Sequence, residues 1–181
     1  MRKLRCLLFG MLLFPVVESL GQTKDETIEW LNRNGKAFLK TTECERPFND
    51  ERIYIKHYIE IEKDILKVFG DESFSKRTVR GTYFKYVNWN QILYEDVSTV
   101  PIEVNLSDKC PEFKYFKVKV LGYKSGYKPD DKEARNDEGC TNDCTIYLAF
   151  DSNNLENAKR TLKAIMHLAK LSGAKENKQT F

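Results

Sequence analysis

The chain has 181 residues, with 30 lysines and arginines against 27 aspartates and glutamates, a formal charge of +3. That balance gives no electrostatic case for a nucleic-acid partner. No segment offers the roughly 20 consecutive apolar residues that a membrane-spanning helix needs.

Taken in order, the chain opens on a basic head of Arg2, Lys3 and Arg5, an apolar run over 7–17, and Ser19 and Gly21 ahead of Gln22. Basic head, short apolar middle and small-residue exit together form the pattern of a secretory signal peptide cut after residue 21. The run is too short to span a bilayer, and Cys6 precedes it where a lipid-anchor cysteine would follow it. The reading is therefore an exported chain, periplasmic or extracellular, free of the membrane once residues 1–21 are removed. The mature part, 22–181, suits a single domain with a substantial core. Losing Arg2, Lys3, Arg5 and Glu18 leaves it close to neutral.

A helix is expected over 25–40. Thr23 with Glu26 has capping-box spacing, and Ile28, Leu31, Gly35 and Phe38 share one face. Strands follow. Ile53, Ile55, Ile59 and Ile61 alternate with Tyr54, Lys56, Tyr58 and Glu60, the period of a half-buried strand. A second strand over 65–69 is expected to break at Gly70-Asp71-Glu72-Ser73. A third covers 79–87, Asn88-Trp89-Asn90 turns, and short strands follow over 92–96 and 102–106. The segment 115–121 alternates clearly, with Phe116, Val118 and Val120 on one side and Lys117 and Lys119 on the other. Residues 122–143, with three glycines, a proline and many charges, read as one long surface loop. A last strand covers 145–150.

The chain closes on an amphipathic helix over 154–172, with Leu155, Ala158, Leu162, Ile165, Met166 and Ala169 as its apolar stripe. Ser152, Asn153 and Asn154 offer N-caps, and Gly173 supplies the stop. Residues 174–181 read as a frayed tail. The fold class is α+β, mostly β: an antiparallel sandwich or barrel of about seven strands, closed by the C-terminal helix, with an extra N-terminal helix.

The mature cysteines are Cys44, Cys110, Cys140 and Cys144. An even count in an exported chain implies disulfides, and four thiols allow three pairings. Thr141-Asn142-Asp143 can form a turn that favours Cys140 with Cys144, leaving Cys44 with Cys110.

Asn157-Ala158-Lys159-Arg160, Ala164-Ile165-Met166-His167-Leu168 and Ser172-Gly173 resemble the tail of exported bacterial proteins with a pleckstrin-homology-like domain, and the span 146–173 resembles the close of that fold. The resemblance implies a strand-built body plugged by its last helix. Pleckstrin-like lipid binders often carry a basic cluster at the first hairpin. Here Lys56, Lys63 and Lys67 are interleaved with Glu60, Glu62 and Asp64, so no phosphoinositide site is implied.

Chemistry-bearing residues are sparse. His57 shares a strand face with the isoleucines. A general base could look like this, but so does a histidine at the rim of a core. His167 reads as a partly exposed helix residue. The acids of 130–143 lack the alternation of a calcium loop, and Cys140 and Cys144 lack a second ligand pair for zinc. No metal and no cofactor is expected. Lys76, Arg77, Arg80 and Lys85, with Lys114, Lys117 and Lys119, read as a solvated sheet face. Trp89 between two asparagines, and Tyr123 and Tyr127 around a glycine turn, are the candidate ligand-binding aromatics. The sequence therefore points to an exported, non-catalytic binding or scaffolding domain for a protein or glycan. The alternatives are an envelope-directed hydrolase using His57 and a carrier of small apolar ligands.

Overall fold

The computed structural model describes residues 22–48, 51–74, 80–104, 113–130, 133 and 135–178, and gives the backbone alone at 46–48, 51–53, 74, 80, 104 and 136–138. The leader reading of 1–21, Cys110, Lys76 and Arg77 fall outside the described residues.

The first helix, α1 (Lys24–Arg33), starts on the expected capping box. Thr23 N–H donates to Glu26 Oε2 at 2.8 Å, and Glu26 N–H donates to Thr23 Oγ1 at 3.3 Å. The helix is shorter than the sequence suggests. Asn34 leaves helical geometry, and the chain tightens into a 3₁₀ turn at Gly35–Ala37. Packing favours the break. A Cβ at Gly35 would lie 2.8 Å from Leu31 Cδ2 and 3.0 Å from Thr161 Cγ2, so glycine lets this turn sit directly against the C-terminal helix.

The strands are β1 (Cys44–Phe48), β2 (Glu51–Ile61), β3 (Ile65–Phe74), β4 (Arg80–Asn88), β5 (Ile102–Val104), β6 (Phe113–Pro129) and β7 (Arg135–Asp151). They form one curled, seven-stranded antiparallel sheet, ordered β1-β2-β3-β4-β6-β5, with β7 paired to β6. β4 covers one end of β6's first edge, β5 the other end, and β7 runs along the opposite edge.

Membership of the sheet differs from the sequence reading. Residues 92–96 contribute only isolated bridges, Ile92 to Val120 and Tyr94 to Glu176. β1 takes the place of that expected strand. β3 runs straight through Gly70. The largest correction concerns 122–143: 122–129 continue β6 and 135–143 belong to β7, so most of the expected loop is a long hairpin. The register shifts between Val120 and Gly122 and again between Tyr123 and Ser125. The first shift sets two residues of β7, Asn142 and Asp143, against Leu121 alone; both take left-handed backbone, with φ of 66° and 49°, a conformation these two residue types adopt at low cost. The Cys140–Cys144 disulfide closes this kink. Cys44 is disulfide-bonded as well.

The last helix, α2 (Leu155–Leu171), follows a 3₁₀ turn at Ser152–Asn154 and ends at Gly173, whose φ of +82° makes the expected stop. Its stripe of Ala158, Leu162, Ile165, Met166 and Ala169 is buried, with Thr161 and Leu168 added. Each large side chain withdrawn from water contributes about 1.5–3 kcal/mol. The core beneath it joins Leu31 of α1 to Ile59, Ile61, Leu66, Val87, Phe116, Val118 and Ile146 of the sheet. The tail is not frayed at its start. Tyr94 N–H donates to the Lys175 carbonyl at 3.0 Å, and Asn177 N–H donates to the Tyr94 carbonyl at 2.9 Å. Residues 179–181 lie outside the described part. Among the described residues no helix is long and apolar enough to cross a membrane.

Candidate functional site

Strand register decides which side chains share the inner, concave face, because side chains alternate along each strand. Ile61, Leu66 and Val87 form one cross-strand row, sealed under the helices. The next row holds Ile59, Val68, Lys85 and Ser125. Beyond it come His57, Gly70, Tyr83 and Tyr127, and then Ile55, Glu72 and Gly81. The helix-packed core reaches Val68 and goes no further along β3. Past that point the concave face holds a cavity of about 670 Å³ that opens to solvent.

Gly70 lies on the cavity floor with no side chain of its own. His57 lies over it: a Cβ added at Gly70 would come within 3.2 Å of Nδ1. The far nitrogen, Nε2, is 3.4 Å from the Tyr115 hydroxyl. The imidazole meets the Tyr115 ring edge-on at 5.6 Å and Phe113 at 6.2 Å. Tyr115 and Tyr147 bring a second aromatic wall from β6 and β7. Tyr83, the most exposed large apolar side chain among the described residues, tilts onto Tyr127 at 4.5 Å.

Two acids and one lysine line the same space: Glu72, Glu103 and Lys85. Glu103 is held by Lys117 at 2.9 Å, which raises the lysine pKa chiefly through that hydrogen bond. Lys85 points its ammonium at the face of Tyr123, 4.6 Å from the ring centre. Such a walled, mainly apolar space with a few polar groups has the size and make-up of a small-molecule site.

The candidate aromatics separate. Trp89 is 1% exposed and donates its indole N–H to the Glu62 carbonyl at 3.0 Å. It is a core residue anchored to the turn between β2 and β3, and its ring faces are closed to a sugar. Tyr123 and Tyr127 lie on β6, not around a loop turn. Tyr123 receives Lys85, and Tyr127 crosses the bare backbone of Gly81, where an added Cβ would meet its hydroxyl. Lys85 moves most: read as part of a solvated face, it lies inside the cavity. Lys117 and Lys119 do sit on the other side of β6 from the core, paired with Glu103 and Asp143. His167 contacts the Gln22 carbonyl at 3.0 Å on the surface.

His57, Gly70 and Lys85 were not grouped by sequence reasoning. A signal existed: Lys85 is two residues before Val87 and two after Tyr83, on one strand face. Phe84 and Tyr86 on the opposite face masked it, because both sides of β4 are aromatic. Among the described residues no group of three or more His, Cys, Asp or Glu gathers as a metal site. Compared with known proteins, the chain matches no family model, no curated protein and no solved structure.

Proposed function

We propose that the chain is an exported, non-catalytic binding domain that takes a small, largely apolar ligand into the cavity of its concave sheet face. The leader pattern and the Cys140–Cys144 disulfide support export. The pleckstrin-like resemblance of the closing strand and helix accords with a sheet plugged at one end. The single observation that carries the reading is the cavity itself: about 670 Å³, with the His57 ring laid over Gly70 and Tyr83 beside it.

The test fills the cavity floor. Gly70→Leu introduces a side chain that extended backbone accepts readily and that pushes the His57 ring outward into the space. The purified protein should bind the neutral fluorophore N-phenyl-1-naphthylamine, and the variant should bind it at least tenfold more weakly with an unchanged circular dichroism spectrum. Absence of binding to the unaltered protein, or equal binding by the variant, overturns the reading.

One observation favours a second reading. The Tyr115 hydroxyl within 3.4 Å of His57 Nε2 is a pair through which a proton could pass. A hydrolase built on it would turn over p-nitrophenyl esters, and His57→Gln would abolish that turnover.

A further inference from the structure

Resting on the cavity as a ligand site, the charge pattern inside it specifies what kind of ligand fits. Lys24, Lys67, Lys117, Lys119 and Lys159 each sit within ion-pairing distance of a carboxylate. Lys85 does not: among the described residues no carboxylate pairs with it, and its ammonium is met by the π face of Tyr123. Its cross-strand neighbours on the concave face are Val68 and Ser125. A cation drawn half out of water onto such a face is stabilised best by an anion brought to it.

The acids of the cavity are arranged to leave that position to a ligand. Glu103 is occupied by Lys117. Glu72 stands four residues along β3 from Val68, the partner of Lys85, which is roughly 13 Å of strand. Between the two ends lie Gly70, His57 and Tyr83 on the sheet, with Tyr115 facing them. The space therefore has a cationic end at Lys85 and an aromatic and apolar middle, with Glu72 at its far end.

We infer that the cavity takes a monocarboxylate with an apolar body, its head at Lys85 beside Ser125 and its chain lying past His57 and Tyr83 toward Ile55. The apolar middle disfavours a second charge on the same molecule, and the Lys85 ammonium disfavours an ammonium head.

Titration calorimetry with decanoate, decanol, decylammonium and decanedioate at matched ionic strength tests this. Decanoate should bind at least tenfold more tightly than decanol. Decylammonium and decanedioate should both bind more weakly than decanoate. Lys85→Met, which keeps the length of the apolar stem, should bring decanoate down to the affinity of decanol and leave decanol unchanged, while Lys85→Arg retains the preference. Equal affinities for decanoate and decanol, or a preference that survives Lys85→Met, overturns the inference and leaves the cavity reading standing. Binding of none of the four overturns both.

Discussion

One curled sheet serves two opposite purposes along its length. At the helical end, the inner rows from Ile59 to Val87 and from Phe116 to Phe150 are sealed by α2 and the turn after α1. At the other end, the same strands carry His57, Gly70, Tyr83 and Lys85 on the same face and nothing in the core cluster covers them. The change comes from side chains, not from backbone, since the pairing of β2, β3 and β4 runs unbroken through both ends. Aliphatic rows invite a helix to cover them. A row containing a histidine, a glycine, a tyrosine and a neighbouring lysine does not, and leaves room for something else.

The contrast can be broken hardest at the sealed end. Trp89→Ala removes a fully buried indole and strands the Glu62 carbonyl; it should cost about 3–5 kcal/mol, read by denaturant unfolding. Replacing Cys140 and Cys144 together by alanine should cost about 2 kcal/mol by the loop-closure estimate. Hydrogen exchange should then rise in the hairpin beyond the kink, at 123–127 and 135–140, and much less at 146–150. Gly35→Ala pushes a methyl against Leu31 and Thr161, for a loss of about 1–3 kcal/mol by overpacking.

At the open end, Tyr83→Ala should change stability by no more than about 0.5 kcal/mol, as an exposed side chain does, and yet weaken probe binding severalfold. A cost as large as that of Trp89→Ala would mean that the two ends are one continuous core.

The smallest effect lies on the reverse side of the open end. Tyr58 stacks on Phe69 at 4.9 Å, with Asp71 and Glu60 nearby. Partial burial first, then those two negative charges and the Asp71 hydrogen bond, push its ionisation from 10.0 up to about 12. The folded chain thus keeps a proton that the unfolded chain has lost. The stability this contributes is whole below about pH 10 and disappears as the pH climbs toward 12. Ultraviolet titration should show one late-ionising phenol, absent from Tyr58→Phe, and the variant's stability should fall less steeply over that pH range.

The parts of this architecture that rest on local pattern were legible in the sequence. The capping box at Thr23, the alternation at 115–121 and the α2 stripe each declare themselves within a few residues. What escaped depends on partners far away in the chain. Trp89 is a core residue because a carbonyl 27 positions earlier receives its N–H. Residues 122–129 and 135–143 belong to strands because β6 finds matching edges on β4 and β7, although their glycines and charges look like loop. Gly70 read as a strand breaker because its missing side chain suggests a turn, whereas the His57 ring spans the space it leaves. The cavity was hidden for the same reason: it is a gap between cross-strand neighbours, and no single segment carries it.

The offset between Val120 and Gly122 has a consequence for how this chain tolerates change. Before it, even-numbered residues of β6 point inward (Phe116, Val118, Val120); after it, odd-numbered ones do (Tyr123, Ser125, Tyr127). Were β6 to run on in regular alternation through the exposed Leu121 and Gly122, the result would be ruinous. Lys124 and Lys128 would swing into the ligand space and the tyrosines out to solvent. A one-residue irregularity thus acts as a reading frame for everything downstream of it on the strand.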